Sequence, residues 1–300
     1  MDAITDPLIE AGSVKITILA DNAATPPYRA EHGFSALVEI CSKSGDGSRP
    51  AAEGAGATIL FDVGMGALFD NAVVADVDLS RVSDVVLSHG HYDHTDALAL
   101  FLEKHPSARV HASFEVLRDH YSLRTGTCRR IALSDGNRVM LSALPEGQFQ
   151  VFEKTASIFD SRIHLAGRIS RDSSLETPSP LLFSDSECTH PDEVSDEIVL
   201  WIEMDAGLVI LTGCCHAGFI NTCEYVRAIS SIDKIHAVVG GFHLANVPDA
   251  RLRATADYID RNRISRVVAC HCTGDEEIKW LKGKLGSTIT KGGCGMVLRL

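Results

Sequence analysis

The stretch His89-Gly90-His91-Tyr92-Asp93-His94 packs three imidazoles and one carboxylate into six residues. Such borderline donors suit zinc, iron or manganese. They follow Val85-Val86-Leu87, an apolar run with the composition of a short buried strand, so the donors begin where a strand gives way to a loop. In that setting His89 and His91 can converge on one ion while Asp93 and His94 turn toward a second. Two divalent ions held together lower the pKa of a bridging water and stabilise charge that develops on a substrate.

Such a site needs further donors, because catalytic ions take about three protein ligands and keep a position open. The second half of the chain repeatedly ends an apolar run in histidine. The run at 208–212 leads to Gly213-Cys214-Cys215-His216, that at 236–240 to Gly241-Phe242-His243, and that at 267–270 to His271-Cys272-Thr273-Gly274. His216 and His271 are the first choices for the missing ligands. Asp62, near the end of the run at 57–63, is expected to orient metal-bound histidines from behind.

The elements that must position these residues alternate in type, which predicts an α/β fold. Strands are expected at 14–20, 34–40, 57–63 and 108–112, and helices at 68–74, 96–105 and 114–121. Runs at 198–204 and 208–212 flank Asp205-Ala206-Gly207 as a hairpin. Ile220, Cys223, Val226 and Ile229 recur at helical spacing after His216. Further helices are expected at 252–259 and through Ile278, Leu281 and Leu285, and a final strand at 296–300. Residues 42–56, rich in Gly, Ser and Ala, read as an exposed connection. Residues 145–196 lose periodicity and read as an irregular lid or substrate segment within a single domain spanning 1–300.

Composition narrows the function. With 300 residues and 45% hydrophobic content the chain can bury a substantial core. A formal charge of −12 with no long basic run argues against nucleic acid as a partner. No apolar stretch approaches the length of a membrane span, and Met1 to Glu10 has no signal-peptide character. Nine scattered cysteines do not form a secreted disulfide framework, so a reducing cytoplasm is expected.

Several motifs occur in order: Asp21-Asn22, Glu31-His32-Gly33-Phe34-Ser35, Ser88 to Thr95, Leu211-Thr212-Gly213-Cys214-Cys215-His216-Ala217-Gly218, Gly240-Gly241-Phe242-His243-Leu244 and His271-Cys272-Thr273-Gly274. Together they resemble the metallo-β-lactamase superfamily, in the branch that includes an archaeal 7,8-dihydropterin-6-methyl-4-(β-D-ribofuranosyl)aminobenzene-5′-phosphate synthase. The resemblance implies an αββα sandwich with metals at the open edge of two sheets. It implies His89, His91 and His216 on one ion and Asp93, His94 and His271 on the other, most naturally zinc, with manganese or iron as alternatives. The superfamily's bridging aspartate falls at Cys214, so either Cys214 is itself a ligand or His216 takes over. Asn22, Glu31, His32 and His243 would then line the pocket as polar contacts or proton carriers, with Asp93, His243 and Glu31 as catalytic candidates. Arg168 and Arg171 could grip an anionic group, and Phe34, Tyr92 and Phe242 could wall a pterin.

The activity so implied is hydrolysis of a small anionic ester, lactone or phosphoester by a metal-bound hydroxide. A transferase resembling the synthase is the alternative. A mononuclear iron oxidoreductase and a non-catalytic sensor are further ones.

Overall fold

The structure is a computed structural model that describes residues 11–42, 56–158 and 162–300. Two seven-stranded sheets stack face to face with helices on both outer faces, the expected αββα sandwich. The layering follows from strand periodicity, since successive side chains point to opposite faces. In Gly207–Thr212, Val209 and Leu211 fill the space between the sheets, while Leu208 and Ile210 pack under the helices Phe219–Ser230 and Asp249–Arg261. In Thr58–Phe61, Ile59 and Phe61 enter the inter-sheet core, and Leu60 packs beneath Ala67–Val74 and Leu98–Lys104. Strands covered on both faces must be apolar throughout, which is why these runs were legible.

The direction of the strands places the site. Thr58–Phe61, Asp84–Val86 and Arg109–Ser113 are parallel neighbours in the first sheet. Gly207–Thr212, Ile235–Gly241 and Arg266–Cys270 are parallel neighbours in the second. Parallel strands deliver their carboxyl ends to one edge, where open α/β sheets bind ligands. Asp62, the loop after Leu87, and the segments at Cys214, His243 and His271 all leave strands in this way.

Two expectations change. Residues 114–121 form no helix: the Ser113 hydroxyl accepts the Glu115 N–H, and successive turns carry the chain to His120 and the strand Tyr121–Ser122. Such a local bond offers the backbone an alternative to a helix. Part of 145–196 is regular, since Phe149–Phe152, Thr155–Ile158 and Ile163–Gly167 extend the two sheets. The first two lie at sheet edges and are half exposed, so their polar residues masked the strand pattern. Residues 168–197 remain largely irregular, apart from Leu182–Phe183. The predicted connection at 42–56 lies almost wholly outside the described residues.

The cysteines also depart from what a reducing cytoplasm predicts: Cys128 is bonded to Cys188. That bond joins two parts of a small third sheet built from Leu182–Phe183, Tyr121–Ser122 and Arg129–Arg130. Among the described residues no helix is long and apolar enough to cross a membrane.

Candidate metal centre

At the shared edge lies a cavity of about 470 Å³. Its floor is made by His91, Asp93, Cys214, His216 and His271, and its walls include Arg124, Arg129, Ile131 and Leu182. Five of the six expected metal ligands are buried imidazoles, between 0% and 8% exposed, and Asp93 is 7% exposed. Burying this many titratable groups without a shared purpose is costly.

Three of the histidines are aimed from behind. Asp62 accepts hydrogen bonds from the Ser88 N–H and hydroxyl, both at 2.7 Å, and lies 2.7 Å from His94 Nδ1. This fixes His94 with Nε2 toward the cavity, the carboxylate–histidine arrangement that orients metal ligands and raises their basicity. Ser88 Oγ in turn meets His89 Nδ1 at 2.8 Å, leaving His89 Nε2 3.0 Å from His91 Nδ1. His271 is held by Asn22 at Nδ1, 2.9 Å away, and by Asp21 at its backbone N–H. Its Nε2 lies 3.3 Å from Asp93 Oδ2.

The backbone is bent to serve these contacts. Asp62, Cys215, His243 and His271 all adopt positive φ, between 45° and 59°. Non-glycine residues rarely do so, and such strain gathers at functional sites. Gly213 permits a close approach: a Cβ there would lie 2.0 Å from Ser88 Oγ and 2.9 Å from Asp62 Oδ2. Any side chain would push the 213–216 loop off the first sheet's donors.

Two adjacent acids clamp the two halves of the site. Asp196 accepts the Gly90 N–H at 2.6 Å, and Glu197 accepts the N–H groups of His216 and Ala217 at 2.6 and 2.8 Å. Burial pushes Glu197 up to about 7 against those two bonds. Arg171 donates to the carbonyls of His216 and Glu193, so it positions the His216 loop and does not reach into the cavity. Behind His91, His120 pairs with Asp192 and Asp196; burial disfavours its charge, but these carboxylates outweigh it and raise His120 to about 10.

Electrostatics suit cation binding. Burial, reinforced by neighbouring imidazoles, holds His89, His91 and His216 well below the usual histidine range, so they present neutral nitrogens. Burial opposes charge on Asp93, but His94 and His271 outweigh it and keep its carboxyl ionised. Among the described residues, the buried Nε2 atoms of His91 and His216 have no hydrogen-bond partner. Orphaned imidazole nitrogens in a polar cavity demand an explanation, and the donor set fits a metal. Three groupings bring possible ligand atoms within 4.8 Å of one another: His89, Cys214 and His216; His94, Cys214 and His271; and His32, Asp93 and His271.

Other sequence candidates fall elsewhere. Glu31 is not in the cavity; its carboxylate accepts the Met65 and Ala67 N–H groups at 2.8 Å and caps the helix Ala67–Val74, whose N-cap Gly66 has no side chain to do so. Arg168 lies outside the cavity and pairs with Glu115 and Glu153. Phe34 and Phe242 are fully buried in the core, where each contributes roughly 1.5–3 kcal/mol of burial, so of the three aromatics only Tyr92 lines the cavity. His32 lies 3.4 Å from Asp93, and His243 lines the cavity with its ring 4.6 Å from that of His216.

Arg124 and Arg129, which sequence reasoning missed, are the wall residues of most chemical interest. Arg124 donates to His243 Nε2 at 2.8 Å, and burial together with that cation lowers His243 to about 3. Arg129 has no ion-pair partner among the described residues. Their only signal was the Arg-rich span 124–130 between two apolar stretches.

This fold, with this donor set at its open edge, defines the class: the chain belongs to the metallo-β-lactamase superfamily, whose domain description matches residues 52–122. It is 31% identical over 266 residues to Uncharacterized protein MJ0448 of Methanocaldococcus jannaschii, covering 86% of this chain and 90% of that one. It is 26% identical to the 7,8-dihydropterin-6-methyl-4-(beta-D-ribofuranosyl)-aminobenzene-5'-phosphate synthase of the same organism, covering 87% and 88% of the two chains. Among solved structures it resembles Tm1679, described as a metal-dependent hydrolase of the beta-lactamase superfamily. That match has 28% identity and a TM-score of 0.76, and covers 95% of this chain and 98% of that one.

Proposed function

We propose that this protein is a metal-dependent hydrolase acting on a small anionic ester, lactone or phosphoester with two divalent ions, zinc by preference. The observation that carries the reading is the convergence of buried imidazoles, His89, His91 and His216 neutral among them, and one ionised carboxylate at the cavity floor, with two imidazole nitrogens left unpartnered. In this reading His89, His91 and His216 hold one ion, and Asp93, His94 and His271 the other. Bound there, such ions would supply Lewis acidity at the cavity floor.

The chain's own residues do the rest. Asp62 and Asn22 fix the ring orientations of His94 and His271. Arg124 and Arg129 bind the substrate's negative charge, which a chain of net charge −12 would not attract from a distance. His243, neutral and held at Nε2 by Arg124, presents the opposite side of its ring as a hydrogen-bond donor at Nδ1. His32, beside Asp93 at the cavity mouth, is placed to carry a proton between the site and solvent.

A second reading, transfer of a group to an amine, is favoured by the nearly full-length similarity to the synthase. Isotopic water separates the two. With zinc-loaded protein and a panel of phosphoesters and lactones in H₂¹⁸O, hydrolysis places solvent oxygen in the product. Turnover that requires an amine and incorporates no solvent oxygen would replace hydrolysis with transfer. No turnover of any substrate by fully loaded protein would contradict the enzymatic reading.

A further inference from the structure

We propose that the Cys214 sulfur is a ligand common to both metal ions, a bridging thiolate that makes this site select zinc, cobalt or iron(II) over manganese and magnesium. The inference rests on the two-ion reading above and adds the donor that joins its halves. Within the histidine and aspartate set Asp93 lies 3.3 Å from His271 and 3.9 Å from His94, and among the described residues no ligand grouping joins it to His89 or His216. Among the described residues Cys214 Sγ alone belongs to a group on each side, with His89 and His216 in one and with His94 and His271 in the other. It sits 3.2 Å from His94 Nε2.

The neighbouring cysteines provide an internal control. A buried cysteine usually acts as a small hydrophobe, and Cys215 does so: it packs into the core beneath the helix Phe219–Ser230, with its sulfur against the Thr222 hydroxyl. Cys270 likewise lies among the apolar side chains between the sheets. Cys214 lines the polar cavity instead, and the donor atoms of four histidines lie within 4.8 Å of its sulfur. One of them, His216 Nε2, is buried and unpartnered. Gly213 secures this placement by letting the loop rest directly against Ser88 and Asp62.

The chemistry balances simply. Coordination deprotonates a thiol outright, and the proton passes to solvent. A soft thiolate favours zinc, cobalt and iron(II) over the hard ions manganese and magnesium.

The test is to load metal-free protein with cobalt(II) and record its absorption, following metal content in parallel. Wild type should bind about two ions per chain and show an intense near-ultraviolet thiolate-to-cobalt band. Cys272 is half-buried and the other free cysteine on the cavity wall; Cys272→Ala should keep the band. Cys214→Asp, which supplies an oxygen donor of similar reach, should still load cobalt but lose the band, and its preference for zinc over manganese should fall by at least about tenfold. If Cys214→Asp does not fold, a band in wild type that persists in Cys272→Ala still assigns the sulfur to Cys214, since among the described residues no other cysteine lines the cavity. Two bound cobalt ions without the band, or a band that survives Cys214→Asp, would overturn the bridging thiolate and leave the hydrolase reading intact. Failure to bind cobalt at all would overturn both.

Discussion

The floor of the cavity is carried by strand ends of two stacked sheets, and its donors are buried and mostly hydrogen-bonded from behind. The wall opposite is a three-stranded patch with exposed Arg124 and Arg129, tied by Cys128–Cys188 and the irregular segment around Leu182. The difference assigns separate tasks. A rigid floor fixes which reaction can occur, because ligands must be held within fractions of an ångström. An exposed, loop-built wall determines which molecules enter.

Perturbing the floor should therefore abolish chemistry, and perturbing the wall should change only binding. The largest effect is expected for Asp93→Ala: losing an ion's Lewis acidity costs several kcal/mol, so kcat should fall by roughly a thousandfold or more, measured against any substrate found by the isotope screen. Asp62→Ala comes next, because it frees His94 and leaves the buried Ser88 N–H without its acceptor. Metal affinity in a chelator competition should weaken about 10- to 100-fold. A kcat loss in Asp62→Ala at unchanged metal affinity would contradict the orienting role.

Arg124→Ala, on the wall, should raise KM for an anionic substrate roughly 10- to 100-fold, the worth of a hydrogen bond to a charged group, while metal content stays at the wild-type level. A fall in metal content would mean that wall and floor are not separable. Arg168→Ala gives the smallest effect. Its guanidinium is half exposed and pairs with Glu115 and Glu153 away from the cavity, so stability in urea should change by no more than about 0.5 kcal/mol and KM not at all.

The floor was legible in the sequence because its donors are of rare types at short spacing, and because doubly covered strands are unbroken apolar runs. His89 to His94 announced themselves as a cluster, and His216, His243 and His271 as the ends of such runs. The wall was not legible. Arg124 and Arg129 look like any surface arginines until the chain folds back, and Arg168 and Arg171 looked equally suitable yet lie behind the His216 loop or outside the cavity. Glu31 was misjudged for a related reason: nothing in Glu31-His32-Gly33 shows that a helix 36 residues away lacks a cap. That Asp196 and Glu197 clamp Gly90 and His216 follows only from the packing of one sheet on the other.

The central claim, a two-ion site on that floor, is tested most directly by elemental analysis of protein purified without chelators, comparing wild type with His91→Ala. The account predicts about two ions per chain, chiefly zinc, in wild type and a sharp fall in the variant. Wild-type protein that holds no metal, or a variant that holds as much as wild type, would contradict it.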